Sequence, residues 1–377
     1  MIKYREISGF IFLKKLLKEL KQLLKIGIPI YGSQISYMGM GVTDTIVAGR
    51  ASALDLSGLA IGNALSMPFY FLLGGCLFAV TPIVAQLFGA KKYEEIGQKV
   101  REILWVSIAL GLIGFILYRN LSFFIPYFDI EENIAQISDG YLKAMSFGFV
   151  ANMLFTCLRC YSEGMGLTLP VFWVAFIGMI LNIPLDIIFV YGYFGIPPMG
   201  GVGCGIATSI NIIIGLFVLI LVILKKKEYE PTKLFSKFSG PNTDTTKEAL
   251  KLGVPIGFGV FVELSMFSGA ALILGSLGAT VISAHTVAIN IASVLFILPL
   301  SFGLAAATRI GNLVGEKELR KAKYASHIAI LICLVGAIVN TAIILSFREA
   351  LVSLYSEDLA VIAIAINLLL FAAIFQI

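Results

Sequence analysis

The sequence predicts an all-α polytopic membrane protein built from two repeats, on three observations. Of its 377 residues, 58% are hydrophobic and only 14% charged, against about 25% charged in ordinary globular proteins, and the mean hydropathy is +0.94. The apolar runs are continuous and about 20 residues long rather than alternating, so the spans are helices and not barrel strands. Finally, Lys25-Ile-Gly-Ile-Pro29 matches Lys251-Leu-Gly-Val-Pro255, and Leu87-Phe-Gly89 matches Leu313-Val-Gly315, both at an offset of 226 residues.

Residues 1–24 open the chain as an amphipathic helix. Ile7, Phe10, Leu13, Leu17, Leu20 and Leu24 recur at helical spacing, and Lys14, Lys15, Lys18 and Lys21 cover the other side. Such a helix lies on the cytoplasmic leaflet, and it lacks the apolar core and cleavage site of a signal peptide. Ten spans follow, at roughly 26–48, 57–82, 102–118, 134–158, 167–191, 202–224, 252–275, 280–308, 324–346 and 359–377. Pro68 and Pro82 predict kinks in the second. Residues 225–250 form the one sizeable hydrophilic connection and read as a linker between a first lobe at 25–224 and a second at 251–377. Six spans per repeat bring both copies in from the same side, so the repeats are parallel, related by an axis along the membrane normal. A repeat of six implies twelve spans. The chain stops inside an apolar run at Ile377, so the second lobe is expected to be truncated.

The basic residues set orientation. Cytoplasmic segments would carry 24 Lys/Arg, seven of them in residues 1–25 and seven in 225–251; the opposite side would carry only Arg50, Arg119 and Arg348. The positive-inside rule places the N-terminus in the cytoplasm of a plasma (inner) membrane protein. The net charge of +5 follows from this asymmetry and calls for no nucleic-acid partner. Arg159, at the end of the fourth span, reads as an interface anchor. Cys76, Cys157, Cys160, Cys204 and Cys333 all fall in or beside apolar spans, where Cys157-x-x-Cys160 reads as packing and not redox chemistry. No spaced Cys/His set argues for zinc, and no nucleophile or metal set argues for an enzyme.

Three acids lie inside apolar segments: Asp44, Asp186 and Glu263. An acid at membrane depth is expensive and marks a functional site. Asn182 and Asp186 are four residues apart and so share one helix face. Pro184 between them frees a carbonyl one turn earlier. These form a local cluster of oxygen ligands. A buried carboxyl among such groups holds either a proton or a metal cation. Na⁺ can be held at Asp44, Asp186 or Glu263, and Thr208, Cys204, Gln34 and His285 are further candidates. Asn63 and Asn290 read as interhelical hydrogen-bonding residues. Gly200-Gly-Val-Gly-Cys-Gly205 reads as close packing, because no Lys-Ser/Thr follows it as in a phosphate loop.

Gly39-Met-Gly-Val-Thr-Asp-Thr-Ile-Val-Ala-Gly49, Leu158-Arg-Cys-Tyr-Ser-Glu-Gly-Met165, Leu181-Asn-Ile-Pro-Leu-Asp186, Gly200–Gly205 and Ser283-Ala-His-Thr-Val-Ala-Ile-Asn290 together resemble the multidrug and toxic-compound extrusion (MATE) transporters, in their NorM-like bacterial branch. The resemblance implies two parallel six-helix lobes, here ten helices. It also implies alternating access and export of cationic drugs and toxic organic compounds driven by Na⁺ or H⁺, with no other cofactor. It puts an amino-lobe coupling site on Asp44, Asn182, Asp186 and Thr208. A carboxy-lobe site falls on Glu263 and is expected to be incomplete, with its remaining acid beyond Ile377. Partners are then small organic cations, the coupling ion and the bilayer, with the chain acting as a monomer. The alternative is a lipid-linked precursor flippase of the related superfamily, which calls for basic residues in the spans.

Overall fold

The computed structural model describes residues 2–128, 130–275, 279–355 and 359–376, with side chains from residue 14 onward except at 128, 268, 271–275, 279 and 282. Among the described residues there are eleven α-helices and no strand. These are α1 (Ile2–Ala51), α2 (Ala53–Gly75), α3 (Val80–Gly89), α4 (Tyr93–Asn120), α5 (Glu132–Gly164), α6 (Thr168–Tyr191), α7 (Gly201–Lys225), α8 (Thr243–Gly275), α9 (Ala279–Gly315), α10 (Leu319–Ser353) and α11 (Leu359–Phe375). Eight described stretches are long and apolar enough to cross a membrane, α2 and α3 counting as one. The first expected span is not among the eight: it lies within α1, where Gly27, Gly32, Gln34, Gly39, Gly41 and Asp44 dilute the hydropathy. The last, α11, is 17 residues long and below that length.

The expected amphipathic segment and first span form one uninterrupted helix of 50 residues. The side chains of Ile7, Phe10 and Leu13 lie outside the described residues. Leu17, assigned to the apolar stripe, is exposed, and the buried face runs instead through Glu19, Leu23, Ile26 and Ile30. Between α2 and α3 the helix tightens to 3-10 geometry at Cys76–Ala79. Pro82 supplies the reason, since it has no N–H for the Phe78 carbonyl one turn back.

The chain divides into two compact units. One comprises residues 1–31, 265–310 and 318–377; the other comprises 32–264 and 311–317. The larger unit has its core around α3, α4, α5 and α7, centred on Val80, Val84, Ile103, Met153, Tyr161 and Leu219. In the smaller unit Ala284, Ala288, Ile344, Ala365 and Leu369 form one cluster, and Leu23, Ala306, Ile328 and Ala329 another. There Glu19 receives two hydrogen bonds from Arg309, Nε at 3.0 Å and Nη2 at 2.8 Å.

The 226-residue repeat is visible in the packing. In the larger unit a Cβ on Gly89 would overlap the Asn312 carbonyl, and one on Gly315 would overlap the Gln86 carbonyl. Under the offset, Gly89 becomes Gly315 and Gln86 becomes Asn312, so the two contacts exchange. Gly311 packs on Ala85, its own counterpart, which places a pseudo-two-fold axis between them. Gly253 packs on the Cys76 backbone in the larger unit, and its equivalent Gly27 packs on the Phe302 ring in the smaller.

Candidate functional site

Three helices of the larger unit build the site. Asn182 and Asp186 project from one face of α6, one turn apart, and both are 0% exposed; Asp44 on α1 is 6% exposed. The Asn182 amide donates to Asp44 Oδ1 at 2.7 Å and to Asp186 Oδ2 at 2.6 Å. Thr208 on α7 donates to Asp44 Oδ2 at 3.2 Å. One turn earlier on α7, the Cys204 thiol donates to the Asp44 backbone carbonyl at 3.7 Å. The two carboxyls also lie within hydrogen-bonding reach of each other.

This geometry leaves a chemical demand. Asp186 Oδ1 is buried with no donor among the described residues. An unsatisfied buried acceptor costs about 1–3 kcal/mol, and two touching carboxyls cannot both be charged without a counter-charge. A proton shared between them, or a small cation held by their oxygens and the Thr208 hydroxyl, meets both demands. No cluster of three or more His, Cys, Asp or Glu suited to a transition metal occurs among the described residues, so the donor set is one of hard oxygens.

The glycine run Gly200–Gly205 seats α7. Gly200 has φ of 55°, and a Cβ there would overlap the Asp55 carboxylate. Gly201 N donates to Asp55 Oδ1 at 2.6 Å, and Ser52 donates to Asp55 Oδ2 at 2.6 Å. The Asp55 carboxylate thus faces the positive end of the α7 dipole. Gly203 and Gly205 pack directly on backbone at Phe189 and Tyr141. The run is a close-packing device that sets Cys204 and Thr208 against Asp44.

Not every candidate joins the cluster. Gln34 is half-buried with no side-chain hydrogen bond among the described residues, and Glu263 is exposed and likewise without one. His285 belongs to the smaller unit, and its Nε2 is buried with no partner among the described residues. Asn290 bonds within its own helix, to the Thr286 carbonyl at 2.9 Å. Asn63 accepts from the Tyr141 hydroxyl at 3.4 Å. Ser36 and Thr43 donate to carbonyls of their own helix, which takes them out of the site.

Two features escape the sequence reading. Asn211, on the Cys204/Thr208 face of α7, is 3.3 Å from Asn182 Oδ1 and donates to it, and also to the Gly178 carbonyl at 3.1 Å. That bond orients the Asn182 amide so that its N–H groups face the acids. Its only sequence signal was the seven-residue spacing from Cys204. Arg159, expected as an interface anchor, is largely buried inside α5, 3.8 Å from Glu163 and over the rings of Tyr37 and Phe78. The expected span ended at 158; α5 runs to Gly164, which puts the pair one turn apart on the same helix.

Apolar helices of membrane-spanning length, arranged as two repeats around a buried acid–amide–hydroxyl cluster, define a polytopic transport protein. The chain belongs to the MATE family of transporters: the MatE family model matches residues 29–188 and again 255–377. The two matches begin at Pro29 and Pro255, separated by the same 226 residues. The multidrug resistance protein NorM of Vibrio cholerae serotype O1 is 37% identical over 359 residues, covering 95% of this chain and 79% of that protein. The multidrug resistance protein PmpM of Pseudomonas aeruginosa is 36% identical over 359 residues, covering 95% and 75%. Among solved structures, the MATE transporter NorM-NG in complex with a cationic dye and a monobody superposes with a TM-score of 0.78 at 30% identity, covering 93% of this chain and 76% of that one. The eukaryotic MATE transporter AtDTX14 gives 0.85 at 21% identity, covering 96% and 80%, a likeness of fold alone.

Proposed function

We propose that the chain is an antiporter that exports cationic drugs and toxic organic compounds by alternating access, driven by entry of Na⁺ or H⁺. The observation that carries this reading is the Asp44–Asn182–Asp186–Thr208 cluster, with two carboxyls bridged by one amide and one carboxylate oxygen lacking a donor. Relatives named multidrug resistance proteins support the drug side. The dye-bound NorM-NG structure adds to that support. The N-terminus is cytoplasmic on this reading, as the Lys/Arg asymmetry requires, and the membrane is the plasma (inner) membrane. The transporter works as a monomer of two lobes, with the exposed Glu263 as a second coupling acid.

Coupling follows from differential affinity: the ion drives the cycle only if it binds one facing of the lobes more tightly than the other. The cluster draws its ligands from three separate helices, so a small shift of α1 against α6 and α7 changes the oxygen set around Asp186. The test is efflux of a fluorescent organic cation from membrane vesicles, with a Na⁺ gradient and a pH gradient imposed separately. One gradient is expected to drive efflux. Efflux at the same rate with neither gradient contradicts the proposal.

A further inference from the structure

The stretch after α7 was expected to be a solvated linker, but it is folded down onto α4 and α5. Tyr229, Thr232 and Leu234 are buried. The Tyr161 and Thr232 hydroxyls share a hydrogen bond of 2.7 Å. Arg101 on α4 donates to the Lys233 carbonyl at 2.9 Å and to the Ser239 hydroxyl at 2.9 Å, and the Trp105 indole donates to the Ser239 carbonyl at 3.0 Å. Gly97 has no room for a Cβ, because the Thr232 carbonyl lies against it.

This anchored platform presents an unusual outer surface. A cleft of about 150 Å³ at the end of α7 is lined by Lys225, Lys226, Lys227, Tyr229, Glu230 and Lys233. Lys233 is engaged by Glu94 at 2.6 Å. Lys225, Lys226 and Lys227 make no ion pair among the described residues. Above the cleft, Phe217, Leu221 and Leu224 form an exposed apolar stripe at helical spacing on α7, leading straight into the lysines. Beside it Phe238 is 85% exposed and packs edge-on against Trp105, itself 40% exposed. Aromatic rings at a span end, unpaired lysines and an apolar stripe of acyl-chain length on one side are the parts a phospholipid needs. The rings sit at headgroup level, the lysines meet phosphate, and the stripe meets the chain.

We propose that residues 225–238 with the outer face of α7 form a binding site for an anionic phospholipid in the leaflet at the C-terminal end of α7, the cytoplasmic leaflet on the orientation proposed above. The headgroup phosphate sits at Lys225–Lys227, and selectivity for net negative lipid over zwitterionic lipid comes from those three unpaired ammonium groups. Glu230 faces the same cleft and sets an upper limit on the charge it attracts.

The test reads lipid binding and not transport, so its outcome is independent of the transport proposal. The full chain is reconstituted in nanodiscs of phosphatidylethanolamine with and without phosphatidylglycerol, and retained lipid is measured by native mass spectrometry. Wild type is expected to retain phosphatidylglycerol in preference to phosphatidylethanolamine. The K225Q/K226Q/K227Q variant, altered only at exposed side chains, is expected to weaken that retention roughly tenfold or more. A matched K317Q/K321Q/K323Q variant, altered in another basic stretch, is expected to leave it unchanged. Equal retention of the two lipids by wild type overturns the proposal. So does unchanged retention in the 225–227 variant, or competition of the lipid by millimolar inorganic phosphate, which would make the cleft a free-anion site.

Discussion

Asp44 and Asp186 are brought together by Asn182, whose amide donates to both, and Asn211 in turn holds that amide. Each partner has a separable role. Thr208→Val deletes one 3.2 Å bond to Asp44, worth about 0.5–1.5 kcal/mol. The coupling-ion concentration giving half-maximal efflux is expected to rise by about two- to tenfold, as an ion titration of dye efflux will show. Asn211→Ala strips a donor from Asn182 Oδ1 and leaves a buried acceptor unpaired. It should lower the thermal unfolding midpoint in detergent, by about 1–3 kcal/mol in stability, while leaving both acids in place. The four-residue spacing of Asn182 and Asp186 was legible in the sequence, because polar residues inside an apolar run at one helical turn stand out. Asn211 was not, since a single amide in such a helix is most often a packing group. Arg159 and Glu163 were missed because the end of α5 was placed too early, which turned a buried pair into a loop residue.

At the scale of helices, tight backbone crossings carry the arrangement. Gly89 and Gly315 each lie against the other copy's carbonyl with no room for a Cβ, whereas Gly41 has nothing within 4 Å. Gly89→Val or Gly315→Val should therefore cost about 1–3 kcal/mol or more through overpacking. Gly41→Ala should be neutral or stabilise α1 by roughly 0.5–1 kcal/mol. Thermal melts of the three variants check the contrast. The Glu19–Arg309 fork makes a second prediction: both side chains are mostly buried. Arg309→Met, which strands Glu19, should cost about 2–4 kcal/mol, and the E19L/R309M double variant should cost less than the sum of the singles. Helix positions were largely legible, because continuous apolar runs mark spans well. The continuity of α1 was not, since its switch from lysine-rich to apolar reads as a boundary although no residue breaks the helix. Nor was the folding of 227–239 onto α4, which depends on Arg101, Trp105 and Gly97 more than a hundred residues earlier.

At the scale of the whole molecule, two sequence copies 226 residues apart make exchanged contacts about Ala85 and Gly311. A handful of matching residues around Pro29 and Pro255 disclosed that symmetry in the sequence, and the family model begins its two matches at the same prolines. Parallel repeats of this kind suit a transporter that rocks its lobes about a shared substrate region. The coupling cluster lies within the first copy, so ion binding there must bias that rocking. The most direct measurement is drug-stimulated ion flux in proteoliposomes, comparing wild type with Asp186→Asn, which keeps the shape and the hydrogen bond to Asn182 but removes the ionisable group. Wild type is expected to pass Na⁺ or H⁺ inward when an organic cation is offered for export, and Asp186→Asn is expected to abolish that stimulation while still folding. Undiminished drug-stimulated flux in Asp186→Asn contradicts the assignment of this cluster as the coupling site.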